Sequence, residues 1–172
     1  MEKKNTHIIY GFVTALVMTI LSTIFYLTDI AFKPYAQYLT YIPFLTGVIL
    51  NAVAFSKANN GFVTFGSVFS SCFKSCAIIT LVLLVWSFIS LLVFPEMTNK
   101  AMEVARQAIE QKNMSSDQID QAMEITHKYF KLFMVAGVVF GTMFWGALFS
   151  LIGAAIAKKN GAAPIQTDNL TV

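Results

Sequence analysis

Two pairs of side chains in this sequence suggest metal chemistry. Cys72 and Cys76 are four residues apart, so on a helix they share one face. Two thiolates without further ligands make a poor zinc site, and we prefer to interpret both cysteines as small residues at a helix–helix contact. Glu124 and His127 have the Glu-x-x-His spacing of di-iron bundles, which require a second such motif that this chain lacks. A solvated helix face explains this pair, and we predict no metal site and no cofactor.

Polar side chains within apolar stretches are the second group that could act chemically. They are Asn51, which lies deepest in its stretch, and in weaker support Thr14, Thr19 and Thr46. Such groups could line a small polar pathway through a membrane. We favour the alternative, interhelical hydrogen bonding, which is worth about 0.6 kcal/mol per pair. Asp29 and Lys33 bracket a short loop, where they could form an ion pair at the membrane surface.

Motifs of known enzymes are missing from the sequence. It contains no phosphate-cradling Gly-rich loop, no nucleophile elbow, no zinc-protease helix and no visible inverted repeat. It also lacks a basic run interleaved with aromatic residues, which is typical of nucleic-acid binding. We therefore predict no catalytic residues, and we expect neither an enzyme nor a nucleic-acid-binding protein.

The composition indicates which solvent surrounds these residues. Of 172 residues, 56% are hydrophobic and 12% are charged, and the mean hydropathy is +0.66. Soluble domains have roughly 45–50% apolar and 25% charged residues. A soluble domain of this size has too little interior to bury so much apolar surface. The composition therefore predicts a membrane protein, and its 2 cysteines exclude a disulfide framework.

Four stretches are long and apolar enough to cross a bilayer, which takes about 20 helical residues. They cover residues 8–28, 35–55, 75–94 and 132–157. The first is too long for a signal-peptide core and is interpreted as an uncleaved signal anchor. We predict an all-α membrane protein that forms a single membrane domain over residues 1–172. The second span starts at Pro34-Tyr35, which suits a helix start.

Residues 61–73 form a short amphipathic piece before the third span. Phe62, Phe65, Phe69 and Phe73 recur at helical spacing. A helix continuous with the third span would be too long to cross the bilayer upright. We expect its first turns to lie in the interface, with Lys74 reaching toward the headgroups. An unusually tilted long helix is the alternative.

Residues 96–131 are rich in charge and are predicted to form a helical hairpin outside the membrane. Apolar residues in both halves follow a helical period, and Asn113-Met114 separates the halves. Ser115 and Gln118 have the spacing of a capping box that would start the second helix. That helix is expected to run on into the fourth span. The polar tail, residues 160–172, is expected to be disordered.

Lysines close to the spans indicate the orientation. The pairs Lys3-Lys4 and Lys158-Lys159 lie directly against the first and fourth spans. Because cytoplasmic segments are enriched in lysine and arginine, we expect both termini in the cytoplasm and the hairpin outside.

Small residues repeat at four-residue intervals along two of the spans. The set comprises Gly11, Ala15, Thr19 and Thr23 in the first span, and two runs in the fourth, Gly137 with Gly141 and then Gly146 with Ser150 and Ala154. Gly137 and Gly141 form a GxxxG motif, which lets helix backbones approach closely in lipid. The motif predicts a packing face within the chain or with a second copy, and a homo-oligomer through Gly137 and Gly141 is one possibility.

Several local patterns together resemble a known family. They are the lysine-flanked first span, the segment Asn60-Gly61-Phe62-Val63-Thr64-Phe65-Gly66 before a Phe-rich helix, Val93-Phe94-Pro95-Glu96, the segment Met114-Ser115-Ser116-Asp117-Gln118-Ile119, and the ending Ala154-Ala155-Ile156-Ala157-Lys158-Lys159. The chain resembles, over nearly its whole length, the small Bacteroidota membrane proteins grouped as domain of unknown function 4199 (DUF4199). The resemblance implies a bacterial inner-membrane protein with four spans, and it implies no activity and no site residues.

The function that we expect is therefore a structural or interaction role. The hairpin at 96–131 is the only large water-facing feature in the sequence, and we expect it to contact a protein partner or its own spans. The alternative is a small oligomeric transporter or channel subunit with Asn51 near a polar path. A membrane enzyme would need a convergent acidic or histidine cluster, which the sequence does not show.

Overall fold

The computed structural model describes residues 5–33, 35–112 and 114–160. These residues form six α-helices and one short 3-10 helix at Ile30–Phe32, and no strand. The α-helices are α1 (Thr6–Leu27), α2 (Ala36–Ala58), α3 (Phe65–Val93), α4 (Glu96–Glu110), α5 (Ser116–Lys128) and α6 (Phe130–Ile156). Four of them, α1, α2, α3 and α6, are long and apolar enough to cross a membrane. The predicted all-α class and the predicted number of long apolar helices are therefore confirmed.

Some of the expectations concern residues outside the described ranges. They are the orientation signal from Lys3-Lys4, the helix start at Pro34, the separation of the hairpin halves at Asn113, and the tail beyond Asn160.

The four long helices form a bundle in which α2 and α3 lie centrally. Both α1 and α6 pack against α2 and α3, and α2 and α3 also contact each other. The bundle thus has two ends. We call the end at the α2–α3 loop the basic end, because it carries His7, Lys57, Lys74, Lys158 and Lys159. We call the opposite end, where α4 and α5 connect α3 to α6, the hairpin end.

The outer surface of the bundle is strongly apolar. Side chains that are more than half exposed include Leu16, Leu81, Leu92, Phe140 and Phe144. Contiguous apolar surface of this extent is not stable in water, and lipid is its natural solvent. The burial pattern agrees with the composition in indicating a membrane protein.

Helix α3 is one continuous helix of 29 residues. At 1.5 Å per residue it is roughly 43 Å long, which exceeds the roughly 30 Å of a bilayer core. It starts at Phe65 because Thr64 and Ser67 form a reciprocal capping box. The preceding turn requires a glycine at position 61, where φ is +77°. The amphipathic piece and the third span are therefore joined without a break.

Helices α4 and α5 pack against each other and contain no fully buried residue. The predicted capping box is present: Gln118 N donates to Ser115 Oγ, and Ser115 N donates to Gln118 Oε1. Arg106 joins the two helices by an ion pair with Asp120 at 3.4 Å. Only Tyr129 separates α5 from α6. Residues 96–128 thus form a paired helical unit, which we call the α4–α5 hairpin.

Candidate functional site

The two cysteines lie at the contact between α3 and its neighbours. Both are fully buried. The Cys72 Sγ lies 3.6 Å from the Val48 carbonyl oxygen, and the Cys76 Sγ lies 3.6 Å from the Gly146 carbonyl oxygen. The interpretation of these residues as small groups at a helix–helix contact is confirmed. Within the described ranges no three His, Cys, Asp or Glu side chains come together as a metal site would require.

Glycines on α6 allow this close approach. A Cβ added at Gly146 would lie 2.9 Å from the Cys76 Cβ, and one at Gly153 would lie 3.2 Å from the Ala52 Cβ. Ser150 and Ala154 are both fully buried on the same face. The packing face predicted from the Gly146, Ser150 and Ala154 repeat is therefore an intramolecular one.

Gly137 and Gly141 are in a different environment. A Cβ added at either position would meet no atom within 4 Å. Both glycines border a cavity of about 280 Å³ between α6 and the other long helices, which Met18, Tyr41 and Phe44 also line. The literal GxxxG motif thus makes no close helix contact within the described part of the chain.

Asn51 is fully buried and joins α2 to α3. Its Nδ2 donates to the Ser71 Oγ at 3.4 Å, whereas its Oδ1 has no hydrogen-bond partner among the described residues. The nearby Ser75 hydroxyl on α3 is buried and is likewise without a partner there. The favoured interpretation of Asn51 as an interhelical hydrogen-bonding residue fits this geometry.

Of the threonines named with Asn51, Thr46 does not share a buried patch with it. Thr46 is exposed, and its hydroxyl donates to the Ile42 carbonyl of its own helix at 2.8 Å. Thr14 is buried on α1 against Gly47, where an added Cβ would collide with the threonine side chain. The hydrogen-bond partner of Asn51, Ser71 of α3, was not predicted, because this contact depends on how α2 and α3 are rotated against each other.

The proposed pair between Asp29 and Lys33 is wrong. Asp29 instead forms an ion pair with Lys100 of α4, with Nζ 2.7 Å from Oδ1. The Lys100 ammonium also lies 5.6 Å from the ring centroids of both Tyr26 and Phe32. The α1–α2 connection therefore contacts α4 through the Asp29–Lys100 ion pair, because α4 lies against this connection at the hairpin end. The predicted pair rested only on the short distance along the sequence between Asp29 and Lys33.

Glu124 and His127 are both exposed on α5. Neither forms an ion pair within the described residues, as the ion pairs there involve Lys100 and Arg106 only. Their environment is that of a solvated helix face.

A polar cavity of about 340 Å³ lies at the basic end. It is lined by the first residues of α1, the end of α2 and the first turns of α3: Asn5, His7, Phe55, Asn59, Ser67, Ser70, Ser71 and Lys74. The spacing 67, 70, 71 and 74 places the four α3 residues on one helix face. That spacing indicates a polar helix face and could have predicted this cavity. The segment was interpreted from its phenylalanine repeat.

Two further cavities lie toward the hairpin end. One, of about 220 Å³, is lined by Tyr26, Trp86, Ser90 and Phe94 among others, and it shares Ser22, Leu83 and Thr142 with the cavity at Gly137 and Gly141. The serine and threonine hydroxyls there donate to carbonyls of their own helices, for example Ser87 to Leu83 at 2.8 Å. Neither cavity is lined by an ionisable acid or base other than tyrosine.

Comparison with known proteins assigns a family. Residues 9–159 match the model of the family described as Protein of unknown function (DUF4199), and the chain therefore belongs to this family. No match was found among curated proteins or among solved structures. The family resemblance drawn from the local sequence patterns is confirmed.

Proposed function

We propose that this member of the DUF4199 family is a non-enzymatic interaction protein of the bacterial inner membrane, whose α4–α5 hairpin binds a protein partner. One observation carries the proposal. The hairpin is amphipathic, yet neither α4 nor α5 contains a fully buried residue, and Val104 and Ile125 are 40% and 53% exposed. An amphipathic helix pair with uncovered apolar side chains has the surface that binding partners cover.

Ion pairs attach the hairpin to the α1–α2 connection and join its two helices. This supports a binding role for the hairpin over that of a flexible linker between α3 and α6. Lys100 ties α4 to Asp29, and Arg106 links α4 to Asp120 on α5. A pre-ordered surface loses less conformational entropy on binding than a disordered segment. Both ion pairs therefore favour one arrangement of the hairpin before a partner binds.

The charges of the hairpin indicate the chemistry of the partner. Glu103, Asp117 and Glu124 are exposed and form no ion pair among the described residues. A complementary surface would combine an apolar centre with a basic rim. We propose a periplasmic or membrane-anchored protein with such a surface.

The proposed orientation places both termini and the basic end in the cytoplasm. Each acidic residue that the structure describes lies at the hairpin end: Asp29, Glu96, Glu103, Glu110, Asp117, Asp120 and Glu124. The basic end carries only cationic or neutral side chains within the described ranges. Lysine next to the spans favours the cytoplasmic side.

Photo-crosslinking in cells tests this proposal. A photoreactive residue replacing Val104 should crosslink a discrete protein, and deletion of residues 97–128 with insertion retained should abolish capture of that protein. Val104→Asp should weaken capture at least about tenfold, because it buries a charge in the contact. Asn99→Asp adds the same charge at another exposed position of α4 and serves as the matched control. Crosslinks confined to lipid, or capture unchanged in the deletion, would contradict the proposal.

A second candidate function is a small oligomeric transporter or channel subunit. It is favoured by the buried Asn51, whose Oδ1 lacks a partner among the described residues, and by the open face at Gly137 and Gly141, where a second copy could pack. This function predicts ion or solute flux in liposomes that Asn51→Leu abolishes. Absence of flux with the wild-type chain across inorganic ions and small polar solutes would exclude it.

A further inference from the structure

The cavity at the basic end that Lys74 lines differs from the two cavities toward the hairpin end in the chemistry of its lining. It presents one lysine, one histidine, three serines and two asparagines, and no carboxylate among its lining residues. The side chains come from three separate helices or their caps, so the fold brings them together. Such a lining offers hydrogen-bond donors and positive charge, which anions require.

Two of the polar side chains in this lining donate within the protein, the Asn59 amide to the Phe55 carbonyl and the Ser67 hydroxyl to the Thr64 carbonyl, whereas the donors around Lys74 do not. Lys74 forms no ion pair among the described residues, and the hydroxyl of Ser70 makes no hydrogen bond there. Ser71 Oγ accepts a hydrogen bond from Asn51, and this arrangement leaves the Ser71 hydroxyl proton free to be donated. Ser70 and Lys74 are one helical turn apart, so both can reach one ligand.

The neighbouring cavity provides a contrast. It is lined by Ser56, Lys57, Asn60, Lys158 and Asn160 among others. Its polar side chains already bond within the protein: the Ser56 hydroxyl donates to the Lys158 carbonyl, and the Asn160 amide donates to the Asn60 carbonyl. These contacts close the end of α6 onto the α2–α3 loop. The second cavity thus has two lysines in its lining against one in the first, but its Ser56 hydroxyl and Asn160 amide are already bonded within the protein.

We propose that the cavity between His7, Ser70, Ser71 and Lys74 binds a phosphate-type anion. The group is either the phosphate of a membrane lipid headgroup or free phosphate. Lys74 supplies the charge, and the Ser70 and Ser71 hydroxyls donate to the anion oxygens. His7 donates from the opposite wall. In a bilayer the basic end lies at headgroup depth, where phosphate is the prevailing anion.

Ligand-dependent stabilisation of the purified full-length chain tests the proposal. In a neutral detergent, the unfolding temperature is measured against sodium phosphate, with sodium chloride at equal ionic strength as reference. A second arm adds phosphatidylglycerol, with a phosphate-free glycolipid, a monoglucosyl diacylglycerol, as reference. Stabilisation by inorganic phosphate identifies a free-anion site, and stabilisation by phosphatidylglycerol alone identifies a headgroup site. Both results support the proposal, and no stabilisation in either arm overturns it.

Matched variants assign the effect to this cavity. Lys74→Gln should weaken binding at least about tenfold, because it removes a charge-assisted hydrogen bond. Lys57→Gln removes the same charge at the same end but from the neighbouring cavity, and it should change binding less than about twofold. Equal losses in both variants would show attraction to the charged end only and would overturn the proposal. Ser70→Ala removes an exposed hydroxyl that makes no hydrogen bond within the described residues, so it should leave folding intact. It should weaken phosphate binding, and it provides the test if Lys74→Gln does not fold.

Discussion

Helix α6 carries small residues along its length, but its two halves are packed differently. In the half toward the basic end, Gly146 and Gly153 lie against side chains of α3 and α2 with almost no spare space. In the half toward the hairpin end, Gly137 and Gly141 border a cavity of about 280 Å³. The same residue type on the same helix therefore serves a close contact in one half and leaves open space in the other.

The difference shows what sets a helix contact in this bundle. Toward the basic end the side-chain atoms nearest to the α6 glycines belong to small residues, Cys76 at Gly146 and Ala52 and Cys72 at Gly153, so the backbones can approach closely. Toward the hairpin end the cavity walls include Met18, Tyr41 and Leu83, whose bulk holds the helices apart. Close packing depends on small residues on both helices, and a GxxxG motif describes only one of them.

The largest expected effect is at the closely packed half. Gly146→Ala places a Cβ 2.9 Å from the Cys76 Cβ and 3.0 Å from its Sγ, so one helix must shift. Overpacking of this kind costs about 1–3 kcal/mol of unfolding free energy. Equilibrium unfolding in mixed micelles measures it. A change near zero would show that α3 and α6 can separate freely at this position, and the contrast between the halves would fail.

The opposite sign is expected in the open half. Gly141→Ala meets no atom within 4 Å and replaces a flexible residue in a helix interior. It should raise the unfolding free energy by up to about 1 kcal/mol. Gly137→Ala should behave in the same way. Loss of stability in either variant, or a smaller oligomer by light scattering, would instead place a packed interface at this face.

The boundary between the halves is marked by a hydrogen bond from α3 to α6. The hydroxyl oxygens of Thr80 and Thr142 are 2.8 Å apart. Thr142→Val should lower the unfolding free energy by about 0.6 kcal/mol, which is the average for such bonds in membranes. Thr46→Val is the matched control, since its hydroxyl bonds only to its own helix. Equal effects of the two changes would show that the bond between helices adds nothing.

The smallest effect on global stability is expected at the Asp29–Lys100 pair above the open half. Because this pair is exposed, Lys100→Met should leave the unfolding midpoint of the bundle unchanged. It should nevertheless increase the mobility of a spin label at Gln107→Cys on α4. The readout is the nitroxide line shape, and an unchanged line shape would mean that other contacts hold α4.

The same label reports a pH dependence. The hydrogen bond to the Asp29 carboxylate raises the pKa of Lys100 above its ordinary value. A group with a raised pKa in the folded state stabilises the contact fully below its ordinary pKa, and the contribution is lost as the pH rises through the raised value. Label mobility should therefore stay constant through neutral pH and increase only in strongly alkaline solution.

The fold was predictable to the extent that it depends on local pattern. Uninterrupted apolar stretches defined the four long helices, and Ser115 with Gln118 marked the start of α5. The start of α3 was placed about four residues early, since the Thr64–Ser67 capping box lacks the Glu or Gln of the usual motif. The hydrogen bond from Asn51 to Ser71 and the grouping of His7 with Ser70 and Lys74 were not predictable, because they depend on how α1, α2 and α3 are rotated against each other.

By itself, the sequence determined the class of the protein, the number of long apolar helices and the charge difference between the two ends, because hydrophobicity and helical periodicity are properties of consecutive residues. Only the tertiary structure decided which glycines are packed, that Asp29 pairs with Lys100, and that serines of α3 meet His7 and Asn51. Those outcomes depend on helix rotation and on side-chain bulk across each contact. Both are set by the whole bundle, and no single helix encodes them.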